Sequence, residues 1–188
     1  GKVDFRKRKE YHRVARDICH LVTQLDPANC VGFNQIANYK FDEWKELSIS
    51  AVVKSTTTIE AVHLNTKKAY STLEALRLDD MIRLKRGLVA LILQEVSTVT
   101  REDGRKVTTI LLKPESELPA EWLHKETEIT CIKSKSELND VCRLAAKALR
   151  GSGVNEVRAE SYFILGRVYH LLAQYDNAMK FYEDSLML

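Results

Sequence analysis

The stretch AESYFILGRVYHLLAQYDNAMKFYEDSL, Ala159–Leu186, decides how the rest of the chain is read. Apolar and aromatic residues recur in it at helical spacing, broken once near Ala173–Gln174, so it predicts two consecutive helices, about Val154 to Ala173 and Tyr175 to Met187. Tyr162, Leu165, Gly166 and Tyr169 share one face of the first helix, and Ala178, Tyr182 and Ser185 share one face of the second. A glycine inside a helix costs about 1 kcal/mol against alanine. Gly166 therefore signals a close approach, which we expect to be a short antiparallel helix pair with Gly166 opposite Ala178 and the tyrosines on the flanks.

Working towards the N-terminus, SELNDVCRLAAKALRG predicts a helix that Ser136 caps and Gly151 ends. At the start of the chain, Val14, Ile18, Leu21 and Val22 mark a helix from Glu10 to Gln24 that stops at Asp26-Pro27. A second helix follows, capped by Asn29, with Phe33, Ile36, Ala37 and Phe41 as its apolar face.

The middle changes character. EWKELSISAVVKS and TIEAVHLNTKKAYSTLEALRL read as helical, with β-branched clusters. IRLKRGLVALILQEVSTVT and RKVTTILLKP then flank the turn REDG, Arg101–Gly104, as the two strands of a hairpin, and TEITCI, Thr127–Ile132, adds a further strand. The expected fold class is α+β, with helical hairpins at residues 1–41 and 133–188 and an inserted, β-rich subdomain over 42–132.

Tyr162, Leu165, Gly166, Tyr169, Ala178 and Tyr182 stand where the tetratricopeptide repeat, a helix pair of about 34 residues, puts its signature residues, with Ser185 in place of the final alanine. The segment thus resembles that repeat. Ala15 precedes Pro27 as that repeat's last alanine precedes its closing proline, and LDPANCVGFNQIANYKF then opens the next repeat. Its partner helix is ELNDVCRLAAKAL, with Val141, Ala145 and Ala148, far along the chain. LDPANCVGFNQIANYKF and ELNDVCRLAAKALRGSGVNEVRAESYFILGRVYHLLAQYDNAMKFYEDSL together resemble the large tetratricopeptide subunits of RNA polymerase II-associated factor (Paf) complexes, over roughly seventy residues. The block between them has no counterpart in that likeness. It resembles a small SH3-like barrel of the chromatin-reader sort, for which Trp122, Tyr70 and Trp44 would be the aromatic residues of a methyl-lysine cage.

These likenesses imply a non-enzymatic, nuclear scaffold for protein partners in transcription. Phe163, Arg167 and His170 would face an extended peptide in the groove of the helices. Lysine and asparagine, which a clamp for terminal carboxylates needs, are not at those places. The alternative is a nucleic-acid or chromatin reader, with Lys85, Arg86, Arg101, Arg105 and Lys106 gathered near the hairpin ends.

Bulk properties narrow the classes further. With 29 basic and 26 acidic residues the net charge is only +3, which gives no global case for nucleic acid. Cys19, Cys30, Cys131 and Cys142 match no metal or redox spacing and read as reduced thiols. His12, His20, His63, His124 and His170 form no ligand pair, and Asp79-Asp80 and Glu102-Asp103 read as a cap region and a turn. We therefore expect no metal, no cofactor, no phosphate loop and no nucleophile elbow. No run is apolar enough to cross a membrane, so no membrane partner is expected. The beginning at Gly1 and the stop at Leu188 before a further proline predict a piece of a longer protein, in which the last hairpin stacks on another; in isolation its apolar flank is expected to form a homodimer or to bind a partner helix.

Overall fold

The computed structural model describes residues 5–62, 73–85, 87 and 90–188, and the side chains among them from residue 10 onward except that of Val62. It is a mixed α/β structure that divides into two compact units, residues 1–43 with 136–188 and residues 44–135. The first is helical: α1 Phe5–Leu25, α2 Cys30–Asp42, α3 Lys135–Gly151, α4 Asn155–Leu171 and α5 Tyr175–Leu186. The second is a closed antiparallel barrel: β1 Lys45–Ser55, β2 Thr58–Val62, β3 Met81–Leu84, β4 Leu91–Thr100, β5 Lys106–Leu112 and β6 Glu126–Lys133, in the order β1-β2-β5-β4-β3-β6.

Helix α2 begins where the Asn29 carboxamide accepts the backbone N–H of Gly32 at 2.8 Å, as its sequence predicts. It runs antiparallel to α3: Lys40 pairs with Asp140 at 3.3 Å, and the Lys147 ammonium lies 4.0 Å from the Phe33 ring centre. Val141, Ala145 and Ala148 of α3 are buried, so its small residues face inward. That helix starts at Lys135, one residue before the expected cap Ser136.

Helices α4 and α5 are antiparallel too. Ser185 Oγ donates to Ala159 O at 2.8 Å near one end, and His170 meets Tyr175 edge-on at the other. The expected partner of Gly166 needs correction. The Tyr182 ring, not Ala178, fills the space over Gly166, and Ala178 is buried beside it on the same helix. A flat ring laid across the helix uses the missing Cβ as well as a close backbone would.

Along α1 the apolar residues do not serve the core as their spacing suggests. Val14, Ile18 and Leu21 are exposed, while α2 is met by another face: Arg16 pairs with Glu43 at 2.6 Å and His12 packs edge-on against Tyr39.

The barrel overturns the helical reading of EWKELSISAVVKS and of TIEAV, which form β1 and β2. In β1 the buried side chains of Ile49, Ala51 and Val53 alternate with exposed Ser48, Ser50 and Lys54, the period of two that a barrel wall demands. It pairs with β6 over Lys45–Val52 and with β2 over Ala51–Ser55, with a register shift between Glu46 and Ile49 that bends the strand around the barrel. The segment HLNTKKAYST, 63–72, lies outside the described residues.

The hairpin of β4 and β5 turns through Arg101–Arg105. Gly104 has φ +78° and its N–H donates to Arg101 O at 2.9 Å, a conformation that glycine adopts without strain. The interior is packed by fully buried Ile59, Ile82, Leu93, Ile110 and Ile129, each contributing about 1.5–3 kcal/mol of hydrophobic free energy.

Candidate interaction surface of the helical unit

Helices α2 and α4 lie parallel, joined by a ladder of polar side chains. Asn34 is fully buried; its amide donates to Val157 O at 2.9 Å, and its carbonyl oxygen accepts from the Ser161 hydroxyl at 2.9 Å. One turn on, the Glu160 carboxylate accepts from Gln35 Nε2 at 3.1 Å, Asn38 Nδ2 at 3.0 Å and Asn34 Nδ2 at 3.4 Å. Three amide groups thus solvate one acid across the helix pair, in place of a counter-charge.

Further along, Arg167 bridges the same two helices. Its Nη1 donates to Asn38 Oδ1 at 3.2 Å and its Nη2 to Asp42 Oδ1 at 2.7 Å, while the guanidinium lies 4.2 Å from the Phe41 ring centre. A planar cation held by an amide, a carboxylate and a ring is fixed in one orientation. Phe163 stands next to it, its ring centre 6.0 Å from that guanidinium and 5.8 Å from Tyr182, yet 49% of the residue is open to solvent.

His170 is exposed, with Nδ1 3.4 Å from the Tyr182 hydroxyl and its ring edge-on to Tyr175. Burial pushes the Tyr182 phenol above its usual range, and Arg167 pulls it back in part. Phe163, Arg167 and His170 therefore line one face with Tyr182, but only Phe163 and His170 offer open surface. Arg167 is spent on Asp42 and Asn38.

Of the residues that carry the repeat likeness, Tyr162, Gly166 and Tyr169 on α4 meet α5, Gly166 through the Tyr182 ring. Leu165, Gly166 and Ala178 are buried, Tyr162 lies 6.3 Å from Phe181, and Tyr169 stacks on Phe181 at 5.2 Å. The ladder itself was not anticipated. Its signal was Asn34, an amide set between Phe33 and Ile36 on the buried face of α2, where a polar group must find partners.

The basic residues of the barrel do not form one patch. Arg101 pairs with Glu60 at 3.4 Å, Arg105 with Asp103 at 3.6 Å and Lys106 with Glu74 at 3.4 Å, around the hairpin turn and its flank. Lys85 pairs with Glu128 at 3.2 Å, just after β3, whose Ile82 faces Leu91 at the start of β4. The turn is at the other end of β4, roughly 30 Å away at about 3.3 Å per residue. Arg86 lies outside the described residues. Glu128, hydrogen-bonded first by Ser48 and then by Lys85, titrates below its usual range. Residues 44–135 carry 15 basic and 13 acidic side chains, so the unit as a whole holds little positive charge.

Of the expected aromatic cage, Trp44 and Trp122 lie among the described residues. Trp44 already carries the Arg83 guanidinium at 3.9 Å and the fully buried Lys133 ammonium at 5.5 Å, so the chain's own cations take its face. Trp122 packs against the barrel core and stands 3.2 Å from where a Cβ on Gly87 would be. Tyr70 lies outside the described residues.

Compared with protein-family models, with curated proteins and with solved structures, the chain finds no match.

Proposed function

We propose that this chain is a non-enzymatic module for protein–protein interaction, built of tetratricopeptide-like helical hairpins with an SH3-like barrel inserted between α2 and α3. The observation that carries this reading is the α2/α4 pair: two parallel helices locked by Asn34, Glu160 and Arg167, with Phe163 left half open beside them. Rigid helices that spend their polar groups on each other and still expose an aromatic side chain make a preorganised shelf for an extended peptide. Phe163 would take an apolar peptide side chain, and His170 would take a peptide carbonyl or acid. By its likeness to the Paf-complex subunits, the partners would be nuclear proteins that travel with transcribing polymerase.

The test uses the full chain and a library of fluorescein-labelled nonapeptides read by anisotropy, with a pull-down from nuclear extract alongside. A selected peptide should lose at least tenfold in affinity on Phe163→Ala, with little dependence on salt. Equal binding by Phe163→Ala, or a pull-down without polymerase-associated proteins, would remove the groove or the nuclear assignment respectively. Binding of duplex DNA or RNA that weakens steeply with salt would instead favour the reader alternative.

A further inference from the structure

Within the helical unit α1 packs on α2, α2 on α4 and α4 on α5, so α1 and α5 are the outermost helices of that series. Each leaves an apolar seam uncovered. On α1 the seam is Tyr11, Val14, Ile18, Leu21 and Leu25, at intervals of three, four, three and four, and all five are exposed, from 46% at Val14 to 78% at Leu25. On α5 it is Tyr175, Met179, Tyr182 and Leu186, at intervals of four, three and four. Tyr175, Met179 and Leu186 are 57%, 60% and 87% exposed, and Tyr182 is half-buried over Gly166. Intervals that alternate between three and four are those by which two helices lay apolar seams against each other. An array of helical hairpins keeps itself apart from its copies by polar outer faces at both ends, and here neither outermost helix has one.

Charge says which seams pair. Helix α1 carries six lysines and arginines against Glu10 and Asp17. Arg16 is taken up by Glu43 at 2.6 Å and Asp17 at 3.7 Å. That leaves Arg6, Lys7, Arg8, Lys9 and Arg13 against Glu10, all within residues 5–13. Helix α5 has Asp176, Glu183 and Asp184 against Lys180, and none of these four has an ion-pair partner among the described residues. Two copies of α1 would oppose like charge, and so would two copies of α5; α1 against α5 opposes unlike charge. We propose that α1 of one copy of this chain docks antiparallel on α5 of another. The basic first turns of α1 then come to the last turn of α5, where Glu183, Asp184 and the negative end of the helix dipole lie. In that direction Leu25, Leu21, Ile18 and Val14 fall opposite Tyr175, Met179, Tyr182 and Leu186 of the copy. The contact is heterologous, since each copy offers one helix and receives a different one, and it builds a ring or an open chain.

The inference does not depend on the peptide shelf: a chain that binds no nonapeptide would still associate. In light scattering the wild-type particle should gain mass as concentration rises and lose it as salt rises. Ile18→Glu and Met179→Glu should each abolish that growth and leave the melting temperature unchanged, since both side chains are exposed. Mixed in equal amounts, the two variants should form a particle of two chains and no larger, because the first keeps its α5 seam and the second its α1 seam. Leu21→Glu and Tyr175→Glu take their places if either first variant melts early. A wild-type chain that stays monomeric up to about 1 mM overturns the proposal. So does growth that persists in either single variant, or a mixture that stays monomeric.

Discussion

The ring of Tyr182 lies over Gly166 so closely that a Cβ added there would stand 2.5 Å from its Cε1 and 2.6 Å from its Cδ1. The ring has little room to retreat, with Phe163 at 5.8 Å and His170 at 6.2 Å between centroids. Gly166→Ala sets about 1 kcal/mol of helix propensity gained against about 1–3 kcal/mol of overpacking. The overlap is with a boxed aromatic ring, so we expect a lower melting temperature by thermal circular dichroism. In a Tyr182→Ala background the same substitution should stabilise, and a double-mutant cycle reads that reversal of sign.

Asn34 is fully buried between α2 and α4, and Asn34→Leu would leave the Ser161 hydroxyl donating to Val157 O alone and put an apolar group beside the Glu160 carboxylate, which loses one of its three amide donors. The expected cost is about 2–3 kcal/mol in urea denaturation of the helical unit. Adding Ser161→Ala should change this little, because the Ser161 hydroxyl still donates to Val157 O in the single variant.

Asp79 in the barrel accepts hydrogen bonds from Lys113 and Lys135, and these hold its carboxyl below the ordinary value of 3.8. A lowered folded-state pKa means that the contribution is complete above the unfolded-state titration and is lost as pH falls through the folded value. Asp79→Asn should cost about 1 kcal/mol at pH 7, modest because both lysines are partly exposed, and asparagine keeps the positive φ of +65° at little strain. Urea melts from pH 7 to pH 3 should show the two proteins converging at the acid end.

Each described cation around the hairpin turn has an acidic neighbour. Arg101→Ala and Arg105→Ala should therefore change the affinity for duplex DNA by less than about threefold, measured by anisotropy at low salt. A tenfold loss would show that the ion pairs open to receive phosphates.

The parts legible in the sequence were those with a local cause. Asp103-Gly104 marked the hairpin because the turn needs a positive φ that glycine gives cheaply, and Asn29 marked the start of α2 because its carboxamide satisfies an orphan N–H. The strand β1 was hidden. Ile49, Ala51 and Val53 alternate, but Val52 fills an outward position with another apolar side chain and blurs the period. The sharing of Arg167 between Asn38 and Asp42 was out of reach for a different reason, since those partners lie on α2, more than a hundred residues earlier. Spacing along one helix reports only its own faces. The exposed seam on α1 was visible as a pattern, yet nothing in the pattern told whether the apolar face was covered.

Strands β1 and β6 run side by side, with Lys45 opposite Ile132, so the chain leaves the barrel next to where it entered. A slack loop over 44–135 would make the docking of α2 on α3 entropically harder the longer it was, by a term growing with the logarithm of its length. A folded barrel whose ends meet acts as a short tether instead. Once the barrel is closed, the two halves of the helical unit, distant in sequence, are held as near neighbours.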